Sequence, residues 1–227
     1  MNTDTWAEMT APAELRPELA DCIVEMRIGP MIKHPYVNDI YVPQMNARYN
    51  KQLAYKREAV AEARAAGKWD TFIMLHERPW RYQALVDIAD EMDDDEFWDA
   101  VSMVWMDSEN IPQHQDEWDE LLRSDRPGHE AMMDDDERAA LAALPEVVTI
   151  YQGHTDVRDD GWSWTTDRDK AIWFGKRFAM MEGAEPMVST ATVFRADITA
   201  YLLGRGEYEV LVDPDLVALV STEEVEP

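Results

Sequence analysis

Near Pro145 the spacing of apolar residues changes period, and that switch limits the folds open to this chain more than any other feature of its 227 residues. Upstream, apolar side chains recur at intervals of three and four, the period of a helix with one buried face. Ala47 to Ala66 is rich in strong helix formers and Gly67 is a stop signal. Trp80, Ala84, Leu85, Ile88 and Met92 form a second stripe, and Phe97, Val101, Val104 and Trp105 a third. Downstream, Val147–Tyr151 (VVTIY), Met187–Phe194 (MVSTATVF) and Glu207–Val212 (EYEVLV) are β-branched or aromatic runs of strand length. One helical pattern interrupts them, from Asp167 to Met181, with Ala171, Phe174 and Phe178 on one face. The expected class is α+β, with a mostly helical region over 1–145 and an α+β region over 146–227. Residues 1–45 hold five prolines and no sustained period, which predicts a short helix around Pro12 to Met26 followed by an irregular, partly extended stretch through Ile40, Tyr41 and Val42.

Charge narrows the function classes. The chain carries 47 acidic and 21 basic residues, a net −26, and 16 of those negative charges are concentrated in residues 81–145. Binding bare DNA or RNA needs cations to displace phosphate counterions, so direct nucleic-acid binding is not expected. The same field repels anionic membranes. Against this, 46% hydrophobic residues provide enough apolar surface for a folded core. A single cysteine, Cys22, permits no internal disulfide. Met1–Thr10 lacks a basic stretch followed by an apolar one, and no apolar run approaches the ~18 residues of a membrane span. A cytoplasmic protein is the expectation.

Two identical acidic tetrads, Asp93-Asp94-Asp95-Glu96 and Asp134-Asp135-Asp136-Glu137, each precede a helical stripe. An Asp three residues ahead of a Glu fits a reciprocal N-terminal cap, and further acids suit the positive end of the helix dipole. Neither tetrad has the alternating oxygens, central Gly and distal Glu of a calcium loop, so the expected metal set is none. The wider acidic segment reads first as a solvated surface. Its functional alternative is a docking or decoy surface for a basic partner.

Common catalytic signatures are missing from the sequence. His34, His76, His114, His129 and His154 are scattered with no metal-binding spacing, and no nucleophile elbow, phosphate loop or dinucleotide fingerprint occurs. What remains is an ordered set in the last third: Tyr151-Gln152-Gly153-His154 at the end of a strand, Gly161-Trp162-Ser163-Trp164-Thr165-Thr166 ahead of the capped helix, and Arg205-Gly206-Glu207-Tyr208-Glu209 entering a later strand. On a strand, Glu207 and Glu209 point the same way, roughly 7 Å apart, an unfavourable pairing of like charges.

This order of motifs resembles the ADP-ribosyltransferase fold of the cholera-toxin-like class, a split β-sandwich whose motifs are an aromatic-Arg-Gly strand, a Ser-x-Ser/Thr strand and a Glu-x-Glu at the head of a strand. The resemblance covers about Val147 to Val220. Phe97 to Pro145 looks like the helical lead-in of uncharacterised phage and actinobacterial proteins that end in this domain. The resemblance implies NAD as substrate and cleavage of its nicotinamide–ribose bond, with transfer of ADP-ribose to an intracellular macromolecule, a host protein. Glu209 would hold the ribose and stabilise an oxocarbenium-like transition state, Glu207 would orient or deprotonate the acceptor, and Ser163 would bond to the ribose and to Glu209. Tyr151, Gln152, Gly153, His154, Thr165 and an aromatic, Trp164 or Phe174, would complete the NAD site.

Gln152 departs from the pattern, since the motif carries Arg there, or His in the related poly-ADP-ribosylating branch. Gln offers only neutral hydrogen bonds. Its presence leaves three options: weaker NAD binding, transfer of the role to His154, Arg158 or Arg177, or loss of catalysis. Two alternatives to the transferase stay open, a non-catalytic interaction protein on the same fold and a plain NAD glycohydrolase.

Overall fold

The computed structural model describes residues 11–108, 114–156 and 161–226. The expectations drawn from Met1–Thr10 and from Arg158 lie outside the described residues. The chain forms two compact units, Met1–Glu109 and Asn110–Pro227. The division thus falls some thirty-five residues before the texture change at Pro145, and residues 110–145 belong with the sheet that follows them.

In the first unit a short helix, α1 (Pro17–Ala20), leads into a three-stranded antiparallel meander of β1 (Ile23–Met26), β2 (Gly29–His34) and β3 (Val37–Ile40). This corrects the helix expected over Pro12–Met26. Met26 pairs with Gly29 and His34 with Val37, so each hairpin closes through a two-residue loop. Gly29 adopts φ +114, a conformation open to glycine at little cost, and the Tyr36 N–H donates to His34 Nδ1 across the second loop. Helix α2 (Asn46–Ala65) packs Tyr49 and Leu53 against Leu19, Ile32 and Val37. Then come α3 (Trp69–Leu75), α4 (Arg81–Asp87) and α5 (Asp94–Asp107). The stripe read over Pro79–Met92 as one helix is broken into α4 flanked by single 3-10 turns.

Both acidic tetrads cap helices as expected. Asp93 accepts from the Glu96 N–H at the start of α5, and Glu96 accepts from the Asp93 N–H. The second box, Asp134 with Glu137, opens α7 (Asp135–Ala143) in the same way.

The second unit is an antiparallel six-stranded sheet with order β7-β8-β5-β4-β6-β9, made of β4 (Val147–Thr155), β5 (Ser163–Thr165), β6 (Pro186–Phe194), β7 (Ile198–Leu202), β8 (Glu209–Val212) and β9 (Ala218–Glu224). Its ladders are unequal. β4 and β6 share nine rungs, whereas β4 and β5 meet at one, Tyr151 opposite Thr165. By strand pairing the sheet is therefore two three-stranded halves that share a single rung.

Helix α8 (Arg168–Glu182) lies on β4 and β6. Its buried stripe is Ala171, Gly175 and Ala179, all small, which lets the backbones approach. A Cβ placed on Gly153 would stand 1.9 Å from the Ala171 carbonyl oxygen and 2.6 Å from the Gly175 nitrogen.

Residues 110–145 join this unit through polar clasps. In α6 (Gln115–Leu122) Asp119 accepts from the Trp162 indole N–H. Arg123 binds Asp119, Asp213 and Asp215 at 3.0, 2.8 and 2.8 Å. Those three carboxylates raise the Arg123 pKa, with the hydrogen bond to Asp215 the largest cause. Glu137, buried, also accepts from the Leu203 N–H at the end of β7.

The packing yields two stability predictions. Gly153→Ala has no rotamer that relieves a backbone collision, so it is expected to cost more than about 3 kcal/mol or prevent folding. Gly183→Ala, at φ +69 in open space, costs only the ~1–2 kcal/mol of left-handed backbone; urea denaturation of the two variants checks the contrast. Glu137→Ala removes a cap and orphans a strand N–H, and is expected to cost about 2–4 kcal/mol, measured the same way against Asp134→Ala at about 1 kcal/mol.

Candidate active site at the seam of the sheet

Residues directly opposite one another in an antiparallel ladder face the same side of the sheet. Tyr151 pairs with Thr165, Thr165 with Glu209, and Glu209 with Leu202. One residue from each expected motif thus lies in a single row across the seam. Ser163, two residues from Thr165, shares that side. Its hydroxyl donates to Glu209 Oε1 at 2.5 Å. Glu209 is 5% exposed.

Glu207 reaches the same place by another route. The strand expected over Glu207–Val212 begins only at Glu209, so the alternation that put both acids on one face does not apply. Tyr208 has φ +50, and among the described residues it alone has positive φ without being glycine. Gly206, at φ +63, precedes this turn. Two hydrogen bonds hold the backbone there: the Thr165 hydroxyl donates to the Glu207 carbonyl at 2.7 Å, and the Thr166 N–H to the Tyr208 carbonyl at 3.1 Å. A bulky residue in the left-handed region costs of order 1–3 kcal/mol and persists only where its surroundings impose it.

The carboxylates converge on Arg205. One guanidinium nitrogen, Nη2, lies 2.9 Å from Glu207 Oε2 and 3.6 Å from Glu209 Oε2. The repulsion expected between two like charges is offset by this cation. Its signal was present: an Arg-Gly pair four and three residues before Glu209, the Gly supplying the turn and the Arg the countercharge.

Other expected site residues serve the fold. Trp164 pairs with Val210 on the opposite side of the sheet from Ser163 and Glu209, and its indole N–H bonds the Gly161 carbonyl. It is buried there, so it does not face the Glu209 row. Gly153 is the contact point with α8. His154 is buried with Nδ1 against the Thr155 carbonyl and Nε2 against the Ser189 hydroxyl, both at 2.9 Å, so its polar atoms are used by the core. Phe174 stacks on Phe178 at 5.9 Å and meets Trp173 edge-on along α8. Arg177 lies over Trp173. Thr165 accepts from the Asp167 N–H as well as donating to Glu207, which makes it a brace for the turn.

Gln152 stands one position out of the row, on the His154 side. Its Nε2 donates to the Ser163 carbonyl at 3.1 Å, tying the first motif to the second across the seam. Its Oε1 is buried and has no hydrogen-bond partner. An Arg could donate to the same carbonyl without leaving an acceptor orphaned, so the amide is an imperfect substitute in that structural role.

A cleft of about 650 Å³ in this unit lies elsewhere. It is lined by Leu122, Arg123, Met133, Trp162, Ile198 and Leu216 among others, at the Asp213 end of β8 and away from Glu209. The candidate site rests on convergent side chains. Among the described residues no group of three or more His, Cys, Asp or Glu side chains could hold a metal ion, and no helix is long and apolar enough to cross a membrane.

No protein-family model, no curated protein and no solved structure matches the chain.

Proposed function

We propose that the chain is an NAD-dependent mono-ADP-ribosyltransferase, and the observation that carries this reading is the buried Glu209 carboxylate bonded to Ser163 and sharing Arg205 with Glu207 at the seam. The near-severed sheet supports it too, because two half-sheets meeting at one rung are the arrangement from which a split β-sandwich is made. On this reading the nicotinamide–ribose bond of NAD breaks, nicotinamide leaves with the bonding electron pair, and positive charge builds on the ribose. A carboxylate fixed by a serine and screened from water stabilises that charge without having to reorganise. Glu207, 22% exposed at its side chain, is the more accessible acid and takes the proton of the incoming acceptor or orients it. Tyr151 flanks the row on the β4 side. The acceptor is an intracellular macromolecule, a host protein, and the net −26 argues against bare nucleic acid.

A second reading is favoured by the same burial: a non-catalytic protein in which Ser163, Arg205 and Glu209 simply hold β5, β8 and the turn together. Incubation with adenylate-labelled NAD and cell lysate separates the two. Covalent label on a macromolecule supports transfer; free nicotinamide and ADP-ribose without label indicate hydrolysis; neither, at any protein concentration, sinks the catalytic reading.

Two substitutions carry the test to the residues. Glu209→Gln is expected to lower nicotinamide release at least about a hundredfold while NAD still binds. Because Arg205 already offsets the repulsion, this change brings no gain in stability. It replaces the charge-assisted hydrogen bond from Ser163 by a neutral one, a loss of about 1 kcal/mol, and so lowers the melting temperature by a few degrees. A mutant with full nicotinamide release despite that loss leaves Glu209 a structural acid. Glu207→Gln is expected to reduce transfer more than hydrolysis, assayed on one sample by label and by free nicotinamide; equal losses contradict the division of roles.

A further inference from the structure

A nitrogen nucleophile already stands at the point where the proposed reaction needs one. Arg205 Nη2 lies 2.9 Å from Glu207 Oε2, on the acid that orients the acceptor and takes its proton. The same nitrogen lies 3.6 Å from Glu209 Oε2, on the acid that stabilises the ribose charge. Ser163 bonds the other oxygen of that carboxylate, Oε1. One guanidinium nitrogen thus spans both roles. Its side chain is 40% exposed while that of Glu209 is 7% exposed, so it covers the buried acid from the solvent side.

The backbone makes this placement a property of the chain itself. Arg205 lies within the turn that the Gly206 N–H closes by donating to the Leu203 carbonyl at 2.8 Å, and Gly206 at φ +63 turns the chain toward Glu207. Nucleophile and both acids therefore share five consecutive residues, 205 to 209. Other arginines of this unit are committed elsewhere. Arg123 binds Asp119, Asp213 and Asp215, Arg168 binds Glu223, and Arg177 lies over Trp173.

We propose that Arg205 is the chain's own acceptor: with NAD in the site, ADP-ribose is transferred to an Arg205 terminal nitrogen of the same molecule. This rests on the transferase reading and adds a modification site to it. The bond between ribose C1′ and nicotinamide breaks, and its electron pair leaves with nicotinamide, which departs neutral. The Nη2 lone pair forms the new bond to C1′, and one Nη2 proton passes to Glu207. The guanidinium remains cationic and no further reactant is consumed. A guanidinium is a poor nucleophile until a base takes its proton, and Glu207 is within hydrogen-bond reach to do so. Holding the reacting groups in one turn also replaces a bimolecular encounter, whereas an external acceptor must first displace Arg205 from Glu207. Once attached, the ADP-ribosyl group fills the space beside Glu209 and adds phosphate charge to a chain of net −26, so a second NAD is opposed and labelling stops at one per chain.

The purified full chain, incubated with adenylate-labelled NAD and no lysate, tests this. Label should enter the chain itself, and fragmentation of its peptides should place the added mass on Arg205 and not on Glu207. The first-order rate constant should hold within about twofold from ~1 to ~100 μM chain, as an intramolecular step requires, whereas transfer between copies would make it rise with concentration. Arg205→Lys keeps a cation beside the acids but lacks the planar fork that spans both, and label at position 205 should be lost. Nicotinamide release is measured in the same tubes and in parallel tubes with lysate. No release in either removes the transferase reading and this inference with it. Release with labelled lysate proteins, but a chain that is bare, labelled away from residue 205 or labelled in proportion to its concentration, leaves the transferase standing and overturns self-modification at Arg205.

Discussion

The approach of α8 to β4 governs the second unit. Glycine at 153 and 175 and alanine at 171 and 179 bring helix and strand into backbone contact, a seat that no larger side chain could share. A helix seated so closely has its N-terminus fixed, and that end is where the consequences begin. Asp167 caps α8 by accepting from the Asp169 N–H, and its own N–H donates to Thr165. Thr165 in turn donates to the Glu207 carbonyl. Helix seating, cap and acidic turn are therefore one connected structure, each step a hydrogen bond of 2.7–3.0 Å. Positioning of the two carboxylates is inherited from a packing constraint on the far side of β5, which is how a three-residue strand can hold a precise turn.

Scarcity of cations shapes the rest. With 21 basic residues against 47 acids, most carboxylates cannot have their own ion pair. The structure uses them as acceptors for backbone N–H groups and shares the cations it has. Both tetrads spend two carboxylates on capping, and Glu137 adds a strand N–H to its duties. Arg123 serves three acids and Arg205 two. Shared cations of this kind are partly exposed, and exposed ion pairs contribute little individually, typically under about 1 kcal/mol. Their value here is geometric: Arg123 fixes α6 to the sheet, and Arg205 allows Glu207 and Glu209 to converge.

How far the sequence was legible depended on whether the signal was local. The capping boxes were readable because an Asp and a Glu three residues apart satisfy each other within one turn. Strands β4 and β6 were readable as β-branched runs long enough to register. The β1–β3 meander was not, because its hairpins turn on Arg27-Ile28 and Pro35-Tyr36, which carry none of the Asn-Gly or Asp-Gly signature, and a string of prolines masked the alternation. The boundary at 109/110 was hidden for a different reason: α6 and α7 are helical in texture, and only long-range bonds such as Trp162 to Asp119 assign them to the sheet. At the candidate site, Ser163 and Glu209 come from separate motifs and meet through one hydrogen bond. Trp164 and His154 face the other side of the sheet, since counting along a strand fixes which side each residue faces only once its rung partners are known.

Tyr208 is the point where local preference and tertiary structure disagree. Nothing in its own side chain favours φ +50; a glycine or asparagine would adopt it more cheaply. Extended backbone at 208 would continue β8 back to Glu207, keep regular alternation, and set the two acids side by side on one face with nothing between them. The left-handed turn instead breaks the strand, lets Thr165 and Thr166 take up the two carbonyls that the ladder gives up, and leaves room for Arg205 to lie between the carboxylates. The conformational cost at one residue is offset by relief of a like-charge contact and by two satisfied carbonyls. Strain of that kind points to a turn whose geometry matters more than its local stability, and it separates a buried acid held by Ser163 from a more exposed acid two residues away, the asymmetry that distinct roles for Glu209 and Glu207 require.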